Sequence, residues 1–152
     1  MNKKIINMNK IFVIILSAIL FLITDVNAQT VKSMGSLTFN ITGFADNTGQ
    51  VIVQLFRKVD EVPSSPFKKV KGVIKNNTAE VIFTNLSYGD YAAIIFHDQN
   101  SNGEIDHCWG VPCEPLGYTN DWELSLFSGM PTFEKLKFTF SPTKDNCLII
   151  VK

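Results

Sequence analysis

Alternating apolar and polar residues predict short β-strands over most of the chain after residue 35. In the segment 36–42, Leu37, Phe39 and Ile41 alternate with polar residues, as in a strand that buries one face. The strands predicted in this way cover residues 36–42, 50–57, 69–75, 78–84, 91–97, 133–140 and 146–151. Outside the N-terminal segment, apolar residues do not recur with the 3.6-residue period of a helix. The pattern therefore predicts an all-β fold: a single antiparallel β-sandwich of about seven strands with one long acidic loop.

Three details of the pattern predict how the strands are arranged. Both faces of 91–97 are apolar, which indicates a central strand covered on both sides. Asn76-Asn77 joins 69–75 to 78–84 and favours a hairpin. In 133–140, Leu136, Phe138 and Phe140 are expected on one face of a single strand.

The first 28 residues have the features of a signal peptide. Lysines at positions 3, 4 and 10 precede an apolar run of 13 residues at 11–23, and Val26-Asn27-Ala28 is a small-residue cleavage site. A membrane-spanning helix requires about 20 apolar residues, so an uncleaved anchor is the weaker alternative. We expect residues 29–152 to form one domain without a transmembrane segment, exported to the periplasm or the exterior.

The charge of the chain excludes one class of partner. The whole chain has 14 basic and 14 acidic residues, and the predicted signal peptide contains three of the basic residues and one of the acidic residues. The remaining domain is therefore slightly acidic. Its one basic group is a short set of lysines at positions 68, 69, 71 and 75, which is typical of a solvated strand face. Nucleic acid is an improbable partner for such a domain.

The passage 97–123 interrupts the β pattern with polar and acidic residues. No Lys or Arg lies between Lys75 and Lys135, although nine acidic residues do. A connection of about 25 residues is long for a compact domain and is typically functional or ordered by a ligand. An acidic segment without its own basic residues favours a bound cation.

The start of this passage has the spacing of a calcium-binding loop. Such a loop presents oxygen ligands at alternate positions and turns on a glycine at position 6. Here Asp98, Asn100 and Asn102 fall at positions 1, 3 and 5, Gly103 at 6, Glu104 at 7 through its carbonyl, and Asp106 at 9. The spacing predicts a calcium site. Because the loop has few carboxylates, the expected affinity is weak, with a dissociation constant of about 10⁻⁴ to 10⁻³ M.

One ligand of an ordinary calcium loop is missing. Trp109 occupies position 12, where a bidentate Glu normally stands, so Glu114 and Asp121 are the candidates to supply further oxygens. Two alternatives remain open. The Asp, Asn and Gly residues can simply form side-chain-stabilised turns without an ion. His97 and His107, with neighbouring carboxylates, also suit a transition metal and hence a metal-dependent enzyme.

Cysteines and aromatic residues cluster after the candidate loop. Cys108 and Cys113 bracket four residues, and a disulfide between them would close a small loop in an oxidising compartment. Cys147 opens an apolar run and is expected to be a buried thiol in a strand. Trp109, Tyr118 and Trp122 predict either an aromatic platform for a sugar or peptide or a buried lid over the sandwich.

Several motifs in and after this passage resemble an uncharacterised bacterial family. HDQNSNGEID, the G-x-P-x-E of residues 110–114, GYTND and GMPTFEKLKF occur in the order found in domain of unknown function 2141. The resemblance covers most of the chain after residue 37 and implies a small exported β-sandwich protein of bacteria without an established activity. Cys113 and GYTND depart from the family pattern, which marks the paired cysteines as a local addition.

A second, more general resemblance concerns architecture. Residues 86–91, LSYGDY, are similar to the turn and tyrosine that open a strand in immunoglobulin-like and prealbumin-like modules. Such sandwiches host many functions. The sequence therefore favours a non-enzymatic exported protein whose calcium loop orders a recognition surface for a protein or glycan. The aromatic binding module and the metal-dependent enzyme remain the alternatives.

Overall fold

A computed structural model describes residues 33–125 and 127–152. The predicted signal peptide and the predicted start of the domain at residue 29 lie outside the described residues. Within the described residues, no helix has both the length and the apolar character needed to cross a bilayer.

The described chain is almost entirely β-structure, with one short helix. Four of the ten described strands have seven or more residues. The strands are β1 (Met34–Thr42), β2 (Gln50–Phe56), β3 (Lys68–Gly72), β4 (Thr78–Ser87), β5 (Gly89–Asp98), β6 (His107–Cys108), β7 (Val111–Pro112), β8 (Leu116–Tyr118), β9 (Phe138–Phe140) and β10 (Asn146–Ile150). Helix α1 (Phe133–Leu136) is a single turn. The prediction of a β-rich fold is confirmed.

The strands form two main sheets and one small hairpin. Sheet 1 has the order β10-β1-β4, and sheet 2 has the order β3-β2-β5-β8, with β9 also paired to β5. The hairpin consists of β6 and β7. Both main sheets contribute to one hydrophobic cluster, to which β1 supplies Leu37, Phe39 and Ile41 and β2 supplies Val51, Val53 and Leu55. This cluster is the shared core.

Sheet 2 also buries its opposite face. A second cluster lies there and contains Phe56, Ala92, Ile94, Phe133 and Leu136, with Tyr118 and Trp122 packed against it. As a result, β5 is buried at every position from Tyr91 to Asp98. The prediction that this strand is central and covered on both sides is confirmed.

The turn at Asn76-Asn77 separates the two sheets. Both residues have positive φ angles, 53° and 56°, and Lys75 and Thr78 exchange backbone hydrogen bonds of 2.8 and 3.0 Å across them. This is the tight two-residue turn that the sequence predicted. Beyond it the hairpin does not continue, because β3 pairs with β2 in sheet 2 while β4 pairs with β1 in sheet 1.

The prediction of one strand over 133–140 is wrong in its first half. Phe133 and Leu136 are spaced three residues apart and are both buried on one side of α1, where they join the second cluster on sheet 2. Phe140 belongs instead to the shared core. A continuous strand would keep Leu136 and Phe140 on one face. The helical turn lets them reach different clusters.

The expectation of a wholly antiparallel arrangement is also wrong for one pair. β10 runs parallel to β1, with Phe39 opposite Cys147 and Ile41 opposite Ile149. After β9 pairs with β5, the turn at 141–144 carries the chain to sheet 1, where it enters beside β1 in the same direction. All other paired strands are antiparallel among the described residues.

A tyrosine supports the entry into β5. The hydroxyl of Tyr91 donates a hydrogen bond of 2.9 Å to the carbonyl of Ser87, four residues earlier. Burial of the ring raises the pKa of Tyr91. This is the arrangement of a tyrosine that braces a corner between strands.

Truncation of Phe39 should strongly destabilise the protein. The ring is fully buried and packs edge-on against Phe83 and Phe138, with centroids 5.8 and 6.1 Å away. Phe39→Ala should lower the free energy of unfolding in urea by about 3–5 kcal/mol. The same substitution at Phe127, whose side chain is 98% exposed, should change it by less than about 0.5 kcal/mol. Similar losses for the two variants would contradict the location of the core.

The thiol of Cys147 should be protected in the folded protein. It is half-buried in β10, and burial raises the pKa of Cys147 to about 11. Only the thiolate attacks, although a thiol of higher pKa is also intrinsically more nucleophilic. Reaction with an aromatic disulfide reagent at pH 8 should therefore be at least about tenfold slower in the folded protein than in urea. An equal rate in both states would show that the thiol is accessible.

Candidate metal-binding loop

The candidate loop starts where β5 ends, at the carboxylate of Asp98. This side chain is fully buried. Its Oδ2 accepts hydrogen bonds from Nε2 of Gln50 at 2.6 Å and from the backbone N–H of Gly103 at 2.9 Å, and its Oδ1 accepts the N–H of Asn102 at 3.0 Å. Gly103 has a φ of +86°, which allows the sharp turn. Asp98 therefore determines both where the loop begins and how it turns back.

Asn100, Asn102 and Asp106 form the other side of the loop. The Oδ1 atoms of Asn100 and Asn102 accept the N–H groups of Asn102 and Glu104 at 3.0 and 2.8 Å. Their Nδ2 groups donate to Oδ2 and Oδ1 of Asp106 at 2.6 and 3.0 Å. Each amide thus stabilises the local turn with its oxygen and holds Asp106 with its nitrogen. The alternate spacing of the sequence becomes a closed hydrogen-bond network.

Glu114 closes the loop from outside. It is 7% exposed, and its Oε1 and Oε2 accept the backbone N–H groups of Gln99 and Asp106 at 3.0 and 3.3 Å. The N–H of Cys113 donates to the carbonyl of Asp106 at 2.9 Å. The structure therefore brings Glu114 to both ends of the predicted loop, eight residues beyond its last predicted ligand.

Two other predicted ligands lie apart from this network. The Glu104 side chain is largely exposed and forms an ion pair with Lys69 at 3.5 Å, so only its backbone carbonyl remains a candidate ligand. Asp121 is exposed, with a φ of +51°. Among the described residues it makes no hydrogen bond to the loop. It lines a groove of about 400 Å³, which Glu114 also lines.

Lysines from elsewhere in the chain neutralise part of the acidic passage. Lys69 pairs with Glu104, and Lys152 pairs with Glu123. The interval without basic residues is therefore less isolated in space than in sequence. Asp98, Asp106 and Glu114 are different, because no ion pair in the described part of the chain involves them. Their carboxylates are held by amide groups only.

The histidines are not brought together as a metal site. Nε2 of His97 lies 2.7 Å from the carbonyl oxygen of Thr48 and therefore carries the proton that it donates. The buried imidazole packs edge-on against Phe44, with centroids 5.2 Å apart, whereas His107 is exposed in β6. In residues 33–125 and 127–152, no group of three or more His, Cys, Asp and Glu side chains is placed to hold a metal ion. This geometry gives the transition-metal alternative no support.

The predicted disulfide between Cys108 and Cys113 is present, with a Cα–Cα distance of 5.5 Å. It links the two sides of the β6–β7 hairpin. Trp109 and Gly110 form the tip, with φ angles of +55° and +84°, which are typical of a two-residue hairpin turn. Trp109 is fully exposed there. It therefore lies at the end of the hairpin rather than at the ligand position that a linear calcium loop assigns to it.

The aromatic residues divide into two groups. Tyr118 and Trp122 pack edge-on with centroids 4.7 Å apart and rest against the second cluster on sheet 2. Burial raises the pKa of Tyr118 to about 12. Trp109 is not part of that cluster. The three rings therefore do not present one shared platform, and Tyr118 and Trp122 match the predicted lid.

Sequence reasoning missed Gly49 and Gln50, which support the loop from the turn between β1 and β2. Gln50 lies opposite Asp98 in the ladder between β2 and β5. A Cβ atom on Gly49 would lie 2.2 Å from the carbonyl oxygen of Asp98 and 2.7 Å from Cα of Gln99. Both residues are about 50 positions from the loop in sequence, so no local motif could have identified them.

The comparisons with known proteins give one match. A family model described as "Uncharacterized protein conserved in bacteria (DUF2141)" matches residues 39–147. The matched region contains the complete candidate loop and the disulfide hairpin. No curated protein and no solved structure matches the chain.

Replacing Gly49 should disturb the start of the loop more than replacing a glycine that lies in open space. Gly49→Ala places a methyl group against backbone atoms and strains a φ of +71°. Gly110→Ala has the φ strain alone, because nothing lies within 4 Å of its Cβ position. A positive φ costs an alanine about 1–2 kcal/mol. Gly49→Ala should therefore lose at least about 1 kcal/mol more in urea unfolding than Gly110→Ala. Equal losses would contradict the close approach.

Proposed function

The chain belongs to the uncharacterised bacterial family DUF2141, whose model matches residues 39–147, and since that description assigns no activity we propose a function from the loop itself. The proposed function is calcium binding at Asp98–Asp106 by an exported β-sandwich protein, with the ion ordering a surface that recognises a protein or glycan. The two main sheets and their shared core support the sandwich description. The signal-like N-terminal sequence supports export.

The burial of Asp98 without a basic partner is the observation that carries the proposal. A carboxylate removed from water is costly unless it is paired, strongly hydrogen-bonded or bound to a metal. Asp98 is fully buried. Its three hydrogen bonds offset part of this cost, but its negative charge has no Lys or Arg partner among the described residues. Asp106, which accepts hydrogen bonds from two side-chain amides, adds a second negative charge to the loop. A divalent cation would compensate both carboxylates.

The proposed ligands come mainly from side-chain amides and the backbone. Calcium accepts carboxylate, amide and backbone oxygens and tolerates irregular geometry. Asp98, Asn100, Asn102 and Asp106 would supply side-chain oxygens, and Glu104 its carbonyl. Because Asp106 now accepts hydrogen bonds from both amides, binding must exchange these bonds for contacts with the ion. That exchange favours an affinity in the millimolar range.

Glu114 is a better candidate than Asp121 for the remaining oxygens. It already contacts the N–H groups at both ends of the loop, whereas Asp121 makes no hydrogen bond to it in the described chain. Rotation of one Glu114 oxygen toward the loop would partly replace the bidentate Glu that is missing at position 12. Asp121 remains a proposed ligand only if the 119–122 turn moves.

The ion would order the hairpin that follows. Cys113 is hydrogen-bonded to Asp106, and the disulfide ties Cys113 to Cys108. The hairpin presents Trp109 and Val111, which are both exposed. Exposed aromatic and aliphatic residues on a rigid support are suited to recognition. An ion that holds Asp106 in place would therefore also hold the end of the hairpin at Cys113 in place.

Calcium should raise the melting temperature of the protein. With a dissociation constant near 1 mM, 10 mM calcium would add about 1.4 kcal/mol to the free energy of unfolding, or about 5 °C for a domain of this size. Asp106→Asn removes one charge at nearly constant shape and should abolish most of the shift. Glu80→Gln, at an exposed position of β4, is the matched control and should leave it unchanged.

Two measurements decide the result. Calorimetric titration should give one saturable site, and 10 mM magnesium should have much less effect, because magnesium demands a regular octahedral shell. Ionic strength is held constant with sodium chloride. Absence of both heat and stabilisation at 10 mM calcium would refute the proposal, as would an unchanged response in Asp106→Asn.

A further inference from the structure

A second concave site lies on sheet 2, on the face that points away from the shared core. We define it as the outer groove. Its floor is one row of residues across the sheet: Lys69 is opposite Gln54, Gln54 is opposite Ile94, and Ile94 is opposite Tyr118. All four residues line the groove. The floor is therefore built by regular strand pairing, which makes it rigid.

Three connecting segments form the walls. They are the loop between β2 and β3, the acidic passage with its hairpin, and the segment before α1. The apolar residues they contribute include Pro63, Ile105, Val111, Leu124, Met130 and Pro131. The groove has a volume of about 380 Å³, within the range of sites that hold small organic molecules. Val111 and Met130 are exposed at 60% and 67%, so an occupant would cover apolar surface.

Gln54 gives the outer groove an unmet hydrogen-bond requirement. It is 5% exposed, between the fully buried Ile52 and Phe56 on the same face of β2. Its Oε1 is buried and has no hydrogen-bond partner among the described residues. A buried acceptor without a partner costs about 1–3 kcal/mol and is rare in native proteins. Because Gln54 lines the groove, a rotation of its side-chain amide would expose Oε1 to an occupant with an N–H or O–H group, which would supply the missing donor.

The two charged residues that line the groove indicate a neutral occupant. Lys69 and Glu104 both line the groove and form an ion pair with each other at 3.5 Å. Each charge is thereby compensated within the protein. The groove has no other Lys, Arg, Asp or Glu in its lining, so a charged occupant would have to break this pair or lose its hydration without pairing to one of these groups.

We propose that the outer groove binds a neutral, predominantly apolar small molecule that donates one N–H or O–H hydrogen bond to Oε1 of Gln54. The apolar walls give most of the affinity, and the glutamine selects for the donor. Its floor and its chemistry differ from those of the proposed calcium loop, and Glu104 and Ile105 of that loop line one wall.

The probe N-phenyl-1-naphthylamine tests the proposal. It is neutral and apolar, has one N–H group, and fluoresces more strongly in an apolar site. We expect saturable binding to the purified protein with one site per chain. The analogue 1-benzylnaphthalene, which has CH₂ in place of N–H, should compete about tenfold less well because it leaves the acceptor unmet. In Gln54→Leu, which removes the acceptor at similar volume, the two compounds should bind equally well.

Two variants locate the binding. Ser64 is exposed and lines the groove, whereas its neighbour Ser65 is exposed and does not. Ser64→Trp should weaken probe binding at least tenfold, and Ser65→Trp should leave it unchanged. If Gln54→Leu does not fold, these two tryptophan variants still test whether the probe binds in the outer groove. The proposal is overturned if the probe shows no saturable binding, if the analogue binds the unmodified protein as well as the probe does, or if the two tryptophan variants behave alike.

Discussion

The burial of sheet 2 on both faces is the constraint on which the rest of this structure depends. β5 is buried at every position from Tyr91 to Asp98, and β2 at every position after Gln50. Sheet 1 covers only one of these faces. The other face needs a second cover, since exposing Ile52, Phe56, Ile94 and Phe96 would cost about 1.5–3 kcal/mol for each side chain. The long acidic passage and helix α1 provide it.

This second cover explains why the passage 97–123 has both polar and apolar character. In its first part, hydrogen bonds between carboxylates and amide groups close a loop at the end of β5. Asp98, the last residue of that strand, is buried there. Its later part packs Tyr118 and Trp122 over the second cluster. Between the covering segments, a narrow groove remains over the row that contains Gln54 and Ile94, although both of these side chains are buried. The candidate loop and the outer groove are therefore two results of the same architecture: one lies at the end of a buried strand, and the other at a gap in its cover.

Electrostatics distinguish the carboxylates that the fold neutralises from those that it does not. Ion pairs join Glu104 and Glu123 to lysines far away in sequence, and exposed pairs of this kind add little stability. Asp98, Asp106 and Glu114 are surrounded by amide donors instead. These three groups, rather than the overall acidity of the passage, are therefore where a cation would be needed. The disulfide hairpin adjoins the same groups through the hydrogen bond between Cys113 and Asp106.

Local patterns in the sequence were sufficient for the strands β1, β2, β4, β5 and β10, for the turn at Asn76-Asn77, for the central position of β5 and for the disulfide, because each depends on residues close together in the chain. They were also sufficient for the spacing of Asp98, Asn100, Asn102 and Asp106.

Only the tertiary structure decided that β3 and β4 join different sheets, that 133–136 is helical, and that β10 runs parallel to β1. It alone placed Gly49 and Gln50 beside the loop, distinguished Glu114 from Asp121 as the residue that contacts the loop, and left Oε1 of Gln54 without a partner. The physical reason is that alternation shows which side of a strand is buried, whereas the pairing of strands and the partners of buried polar groups depend on contacts between residues distant in sequence.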